Sequence, residues 1–66
     1  MKLTFYAGGL QKEIEVLSVV ITGEVMHYEE VPKNPDYGSI HEAILRSDTN
    51  MWETDDGLFE SFSVLI

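Results

Sequence analysis

Ser39-Ile40-His41-Glu42-Ala43-Ile44-Leu45-Arg46 is the segment on which the fold class turns. Ser39 followed three residues later by Glu42 has the spacing of a capping box, in which a Ser hydroxyl accepts from the third helical amide and the Glu reaches back to the Ser amide. Ile40, Ala43 and Ile44 follow at helical spacing, and Arg46 suits the negative end of a helix dipole. The pattern predicts a short helix of about two turns. A helix of that length is unstable alone and needs a sheet to pack against.

The residues on either side supply that sheet. Upstream, Pro32-Lys33-Asn34-Pro35-Asp36-Tyr37-Gly38 reads as a loop, because its two prolines remove ladder donors and push their neighbours out of helical space. Glu24 to Val31 before it is β-prone, with Val25, Met26, Tyr28 and Val31 interleaved with carboxylates. At the start, Leu3-Thr4-Phe5-Tyr6-Ala7 runs into Gly8-Gly9, a pair suited to a two-residue hairpin turn. The return strand starts near Leu10. Ile14 and Val16 share one face there, whereas Leu17, Val19 and Ile21 are apolar in the opposite phase. Since strand side chains alternate with period two, this switch predicts a bulge, a bend or a new strand near Leu17–Ser18.

Downstream, Asn50–Thr54 and Leu58–Leu65 flank Asp55-Asp56-Gly57, which suits a type I turn closed by a glycine bulge. Leu58, Phe62, Val64 and Ile66 would form one strand face, although Phe59, Phe62 and Ile66 would also align on a helix, so residues 58–66 read either way. The sum is an α+β fold: a small, twisted antiparallel sheet of about four or five strands covered by one short helix. Residues 1–66 have room for one domain, and neither half could build a core alone.

With no Cys among the 66 residues there is neither a disulfide nor a thiolate metal site. Met1-Lys2-Leu3-Thr4-Phe5 lacks the basic and apolar regions of a signal peptide, and no run of about 18 apolar residues offers a membrane span. A soluble, cytoplasmic protein is expected. The net charge of −8 is unevenly spread. Lys2 and Lys12 cancel Glu13 and Glu15, so the whole excess falls from Glu24 onward. There Glu24, Glu29, Glu30, Asp36, Glu42, Asp48, Glu53, Asp55, Asp56 and Glu60 face only Lys33 and Arg46. Such a field repels nucleic acid and anionic lipid and attracts basic surfaces.

Catalysis lacks its parts. There is no Cys nucleophile and no Ser in a Gly-x-Ser-x-Gly elbow. His27 and His41 read as a strand surface residue and an exposed residue of the first helical turn. Glu29-Glu30 and Asp55-Asp56 are sequence neighbours, which on a strand point to opposite faces and make poor proton-sharing dyads. Asp48-Thr49-Asn50 begins like a calcium loop but lacks the sixth-position glycine and has Phe59 where the twelfth-position acid belongs. No ligand spacing supports zinc, and no cofactor or metal is expected. The aromatic residues have too few cations beside them to track a nucleic-acid backbone. Phe5, Phe59 and Phe62 suit a core, while Tyr37 and Trp52, beside acidic segments, suit contact anchors.

In size and charge, and particularly in the ten carboxylates of Glu24 to Glu60, the chain resembles the small acidic counter-defence proteins of phages. These are anti-CRISPR and anti-restriction proteins, some of which mimic DNA. The resemblance implies an inhibitor or modulator that sets an acidic face on a basic surface, such as that of a nucleic-acid-binding protein complex, as a monomer or homodimer. The residues expected to carry it are Glu29, Glu30, Asp36, Glu53, Asp55 and Asp56, with Tyr37 and Trp52 as anchors. The competing expectation is a structural or adaptor module that uses its apolar Ser63-Val64-Leu65-Ile66 end, or an unpaired sheet edge, as an interface.

Overall fold

The computed structural model describes residues 1–32 and 39–66, and every regular element among them is a β-strand. The strands are β1 (Lys2–Ala7), β2 (Leu10–Thr22), β3 (Val25–Glu30), β4 (Ser39–Arg46), β5 (Met51–Thr54), β6 (Gly57–Phe59) and β7 (Ser61–Leu65). They form one antiparallel sheet of seven strands in the order β6-β5-β4-β3-β2-β1-β7. β6 and β7 occupy opposite ends of that order, yet only Glu60 separates them in the chain. The sheet therefore curls into a half-barrel, and the Glu60 amide donates to the Tyr6 carbonyl at 2.7 Å across the seam.

The α+β expectation is thus overturned: the protein is all-β, and the predicted helix is strand β4. The reason lies in the period of burial. His41, Ala43 and Leu45 point inward while Ile40, Glu42 and Ile44 point outward, a clean alternation. β4 also has a partner on each side, with Met26 opposite Ala43 and Trp52 opposite Leu45. Two ladders of backbone hydrogen bonds and a shared core outweigh a local capping signal. Ser39 pairs with Glu30 instead of capping a helix, and Arg46 ends a strand. The strand total likewise exceeds the expected four or five, because the segment after Asp56 is broken at Glu60 into two short strands that face different neighbours.

Other local signals lead where they point. Gly8-Gly9 joins β1 to β2, Ala7 lies opposite Leu10, and Gly8 takes φ 60°, the left-handed conformation such a turn requires. The register of β2 against β3 shifts between Val16 and Ser18, where the apolar phase switches. That bulge lets one strand of 13 residues serve two neighbours, with Leu10–Glu15 pairing to β1 and Val16–Thr22 to β3. The last turn is shorter than expected: Thr54 already pairs with Gly57, leaving Asp55-Asp56 as the connection.

The core gathers Leu3, Phe5, Ile14, Val16, Met26, Tyr28, Ala43, Trp52 and Phe59, so that β1 to β6 each contribute. Phe5 lies at its centre, with ring centroids 5.9 Å from Tyr28 and 5.2 Å from Phe59. Phe62 of β7 packs its ring edge against Trp52 at 5.4 Å and closes the core from the far end of the strand order.

Candidate functional site: an acidic mouth around His41

Strand alternation carries the inward row of β3 and β4 out to one mouth of the half-barrel. Tyr28 and Glu30 follow Met26 along β3, and His41 follows Ala43 along β4, directly opposite Tyr28. The imidazole stacks on the Tyr28 ring, with centroids 5.3 Å apart and planes 23° apart. The β5–β6 turn brings Asp55 and Asp56 to the same place, and β2 brings Lys12 and Ile14.

His41 is held between two carboxylates. Its Nδ1 lies 3.3 Å from Asp55 Oδ2, and its Nε2 lies 3.3 Å from Glu30 Oε2. The Nε2 atom is buried, and its approach to Glu30 is ionic in distance but off the hydrogen-bond axis. His41 thus shares a hydrogen bond with Asp55 through Nδ1 and meets Glu30 by proximity alone. Lys12 Nζ donates to Asp56 Oδ2, so the β2 cation pins the same turn from the other side. Burial, together with the charges of Asp55, Asp56 and Glu30, pushes the Tyr28 phenol up to about 12. Tyr28 is therefore a neutral hydroxyl in an anionic setting, able to donate and to accept.

The pocket bounded by these groups is open and holds about 270 Å³, small beside ordinary ligand cavities. A second open groove of about 370 Å³ adjoins it, sharing Ile14 and Glu30 and bordered by Glu13 and Glu15. Three carboxylates (Glu30, Asp55 and Asp56) thus line the mouth, while Glu13 and Glu15, which flank inward-pointing Ile14 on β2, border the adjoining groove from the outer face. Every described Lys and Arg is engaged locally: Lys2 with Glu13, Lys12 with Asp56, and Arg46 with Asp48 and Glu53. The hydrogen bond to Glu53, aided by the charges of Asp48 and Glu53, holds the Arg46 guanidinium above its ordinary value.

The residues expected to form the site are divided by the fold. Glu30, Asp55 and Asp56 come together at the mouth. Glu29, its neighbour on a strand, points to the outer face beside Ser18 and Ile40. Glu53 is also on the outer face and is neutralised by Arg46 at 2.7 Å. Trp52 is no exposed anchor: it is 8% exposed and belongs to the core. Asp36 and Tyr37 lie outside the described residues.

Lys12, Tyr28 and His41 were not expected here. His41 was placed on a helical turn; the signal that locates it is the period-two run His41-x-Ala43-x-Leu45, which continues the core face. His27 does sit at the sheet surface, 3.0 Å from Glu42. The two histidines face opposite sides of the sheet, because Tyr28 and not His27 is opposite His41. Among the described residues no group of three or more His, Asp or Glu side chains is arranged to hold a metal ion. No described helix is long and apolar enough to cross a membrane. Comparison with protein-family models, with curated proteins and with solved structures gives no match, so the reading of this site rests on its geometry alone.

Proposed function

We propose that this protein is a binding module that sets the acidic mouth of its half-barrel on a basic protein surface, as an inhibitor or modulator of a nucleic-acid-binding partner would. The supporting observation is the meeting of Glu30, Asp55 and Asp56 at the mouth, where Lys12 is the one described Lys or Arg and is itself bound to Asp56. Carboxylates held on a strand and a tight turn keep fixed separations, as the phosphates of a bound polyanion do. Their summed field steers a cationic groove toward them and makes association fast and salt-sensitive. The small open pocket favours surface recognition over enclosure of a metabolite, and binding rather than catalysis.

The test is titration of an oligolysine peptide into two variants of equal charge change. Glu30→Lys with Asp55→Lys alters the mouth surface; Glu24→Lys with Glu29→Lys alters the distal turn and the outer face. The mouth variant should lose about tenfold or more in affinity, with a flatter salt dependence, and the control far less. Equal losses would mean that only total charge matters, and the proposal would fall. Affinity capture from the native host at low and high salt then identifies the partner.

A structural or adaptor role is favoured by one observation. Val64 and Leu65 are exposed on β7, which ends the strand order, and Ile66 is exposed just beyond it. Binding to the host partner that survives high salt and is abolished by Leu65→Lys would select that reading.

A further inference from the structure

The second half of β2 is an unguarded strand edge. β1 pairs with Leu10–Glu15 only, and β3 takes one side of Val16–Thr22. Among the described residues, Ser18–Thr22 therefore has no strand on the side away from β3. A bare edge presents backbone donors and acceptors to any passing strand, and proteins that remain monomeric usually protect it with charge, proline or brevity. Charge and proline are both absent here, and the bulge between Val16 and Ser18 precedes the edge without interrupting it. Val16 to Gly23 is eight successive residues without charge or proline. Leu17, Val20 and Ile21 in this segment are 54%, 56% and 46% exposed. The other long uncharged run, Leu3 to Gln11, lies mostly in β1, which is paired on both sides.

We infer that Ser18–Thr22 pairs antiparallel with the same segment of a second copy of this chain, about a two-fold axis at Val20. Charge selects this occupant. A basic partner is drawn to the carboxylates of the mouth and finds nothing to pair with on a neutral edge. Two copies, each at −8, repel one another wherever their carboxylates meet, and this edge, like β7, lets a strand approach without meeting a carboxylate side chain; of the two it carries the longer uncharged run.

The segment is also complementary to itself. Centred on Val20, the register sets Val20 against Val20, Val19 against Ile21, and Ser18 against Thr22. Those are two β-branched pairings and one hydroxyl pairing, the kinds that stabilise neighbouring strands. The parity is right: Val19 and Ile21 lie on one face, and Ser18, Val20 and Thr22 on the other. A two-fold contact of this kind is closed, so it yields a dimer and not a fibre.

Sedimentation equilibrium across a concentration series, with single-cysteine crosslinking, tests this. The parent should reach twice its 7.5 kDa mass as concentration rises. Added salt should tighten the dimer by screening repulsion, the opposite of its effect on docking at the mouth, so each idea can fail without the other. Val20→Lys sets two ammonium groups face to face and should weaken the dimer about tenfold or more while leaving circular dichroism unchanged, since Val20 projects outward. The chain has no cysteine, so Val20→Cys gives an unambiguous probe. Directly opposed residues on paired strands are about 4.5–5.5 Å apart at Cα, within disulfide reach, and Val20→Cys should oxidise to a covalent dimer. Should Val20→Lys fail to fold, Val20→Cys in the otherwise unchanged chain still decides. A parent that stays monomeric throughout, a folded Val20→Lys that dimerises like the parent, or crosslinking by Ser63→Cys on β7 in place of Val20→Cys would each overturn the inference.

Discussion

Phe5→Ala is the substitution that tests the fold most severely. Phe5 is 1% exposed, and its ring touches Tyr28 of β3 and Phe59 of β6, so one side chain joins the first strand to the middle and the end of the sheet. Truncating a buried Phe costs about 3–5 kcal/mol, part lost transfer energy and part cavity. At roughly 0.05–0.15 kcal/mol per residue, a domain of this length is stable by only about 3–10 kcal/mol. The variant should therefore sit at or near the edge of unfolding. Phe5→Leu keeps most of the volume and loses mainly the two aromatic contacts, each worth about 0.5–1.5 kcal/mol, for a loss of about 1–3 kcal/mol. Trp52 is the sole tryptophan and is buried against Phe62, so its fluorescence through a urea titration follows the core directly. The midpoint should drop modestly for Phe5→Leu and collapse for Phe5→Ala. A Phe5→Ala midpoint matching the parent would refute the central packing described for this ring.

Tyr28 gives a pH prediction. Its phenol is neutral below its pKa, and the folded value of about 12 stands above the ordinary 10, so folding favours the protonated form. The stabilisation is complete below pH 10 and is lost as pH rises from 10 toward 12. A rise from 10 to about 12 corresponds to about 2.7 kcal/mol, and solvent at the open mouth reduces this to about 1 kcal/mol. Tyr28→Phe should flatten the fall in urea midpoint over that window, and an identical fall in both proteins would remove the assignment. Gly57 has φ 126° with open space where a Cβ would project, so Gly57→Ala should cost about 1–3 kcal/mol through backbone strain alone. A neutral result in thermal unfolding would contradict that backbone geometry.

Much of the sheet is legible in the sequence because its signals are local. Gly8-Gly9 specifies a hairpin, and the phase change at Leu17 specifies a bulge. The segment from Ser39 misleads because its helical and strand readings share residues. Ser39 and Glu42 satisfy a capping box, and Ile40, Ala43 and Ile44 satisfy a helical spacing that a strand with Ile40 and Ile44 outside satisfies as well. Only the neighbours β3 and β5 decide, and they are tertiary information. The same holds for the candidate site. Glu30, Asp55 and Asp56 are visible as acids, but their meeting around His41 depends on residues 39–46 forming a strand. Trp52 was misplaced because a charged neighbourhood in sequence, Glu53 to Asp56, says little about a side chain pointing the other way. The uncharged run from Val16 to Gly23 could be seen, whereas its lack of a neighbour beyond Glu15 could not.

The single peptide at Glu60 that carries the chain from β6 to β7 also governs how the molecule assembles. β1 precedes β7 in sequence with five strands between them, yet gains its second neighbour only when β7 is in place. Pairings between segments so distant in sequence are slow, because the loop entropy is spent before any contact repays it. Until that clasp shuts, Leu3 and Phe5 sit beneath an uncovered flank, and the folding chain passes through a stage in which apolar surface on β1 lies open to other chains.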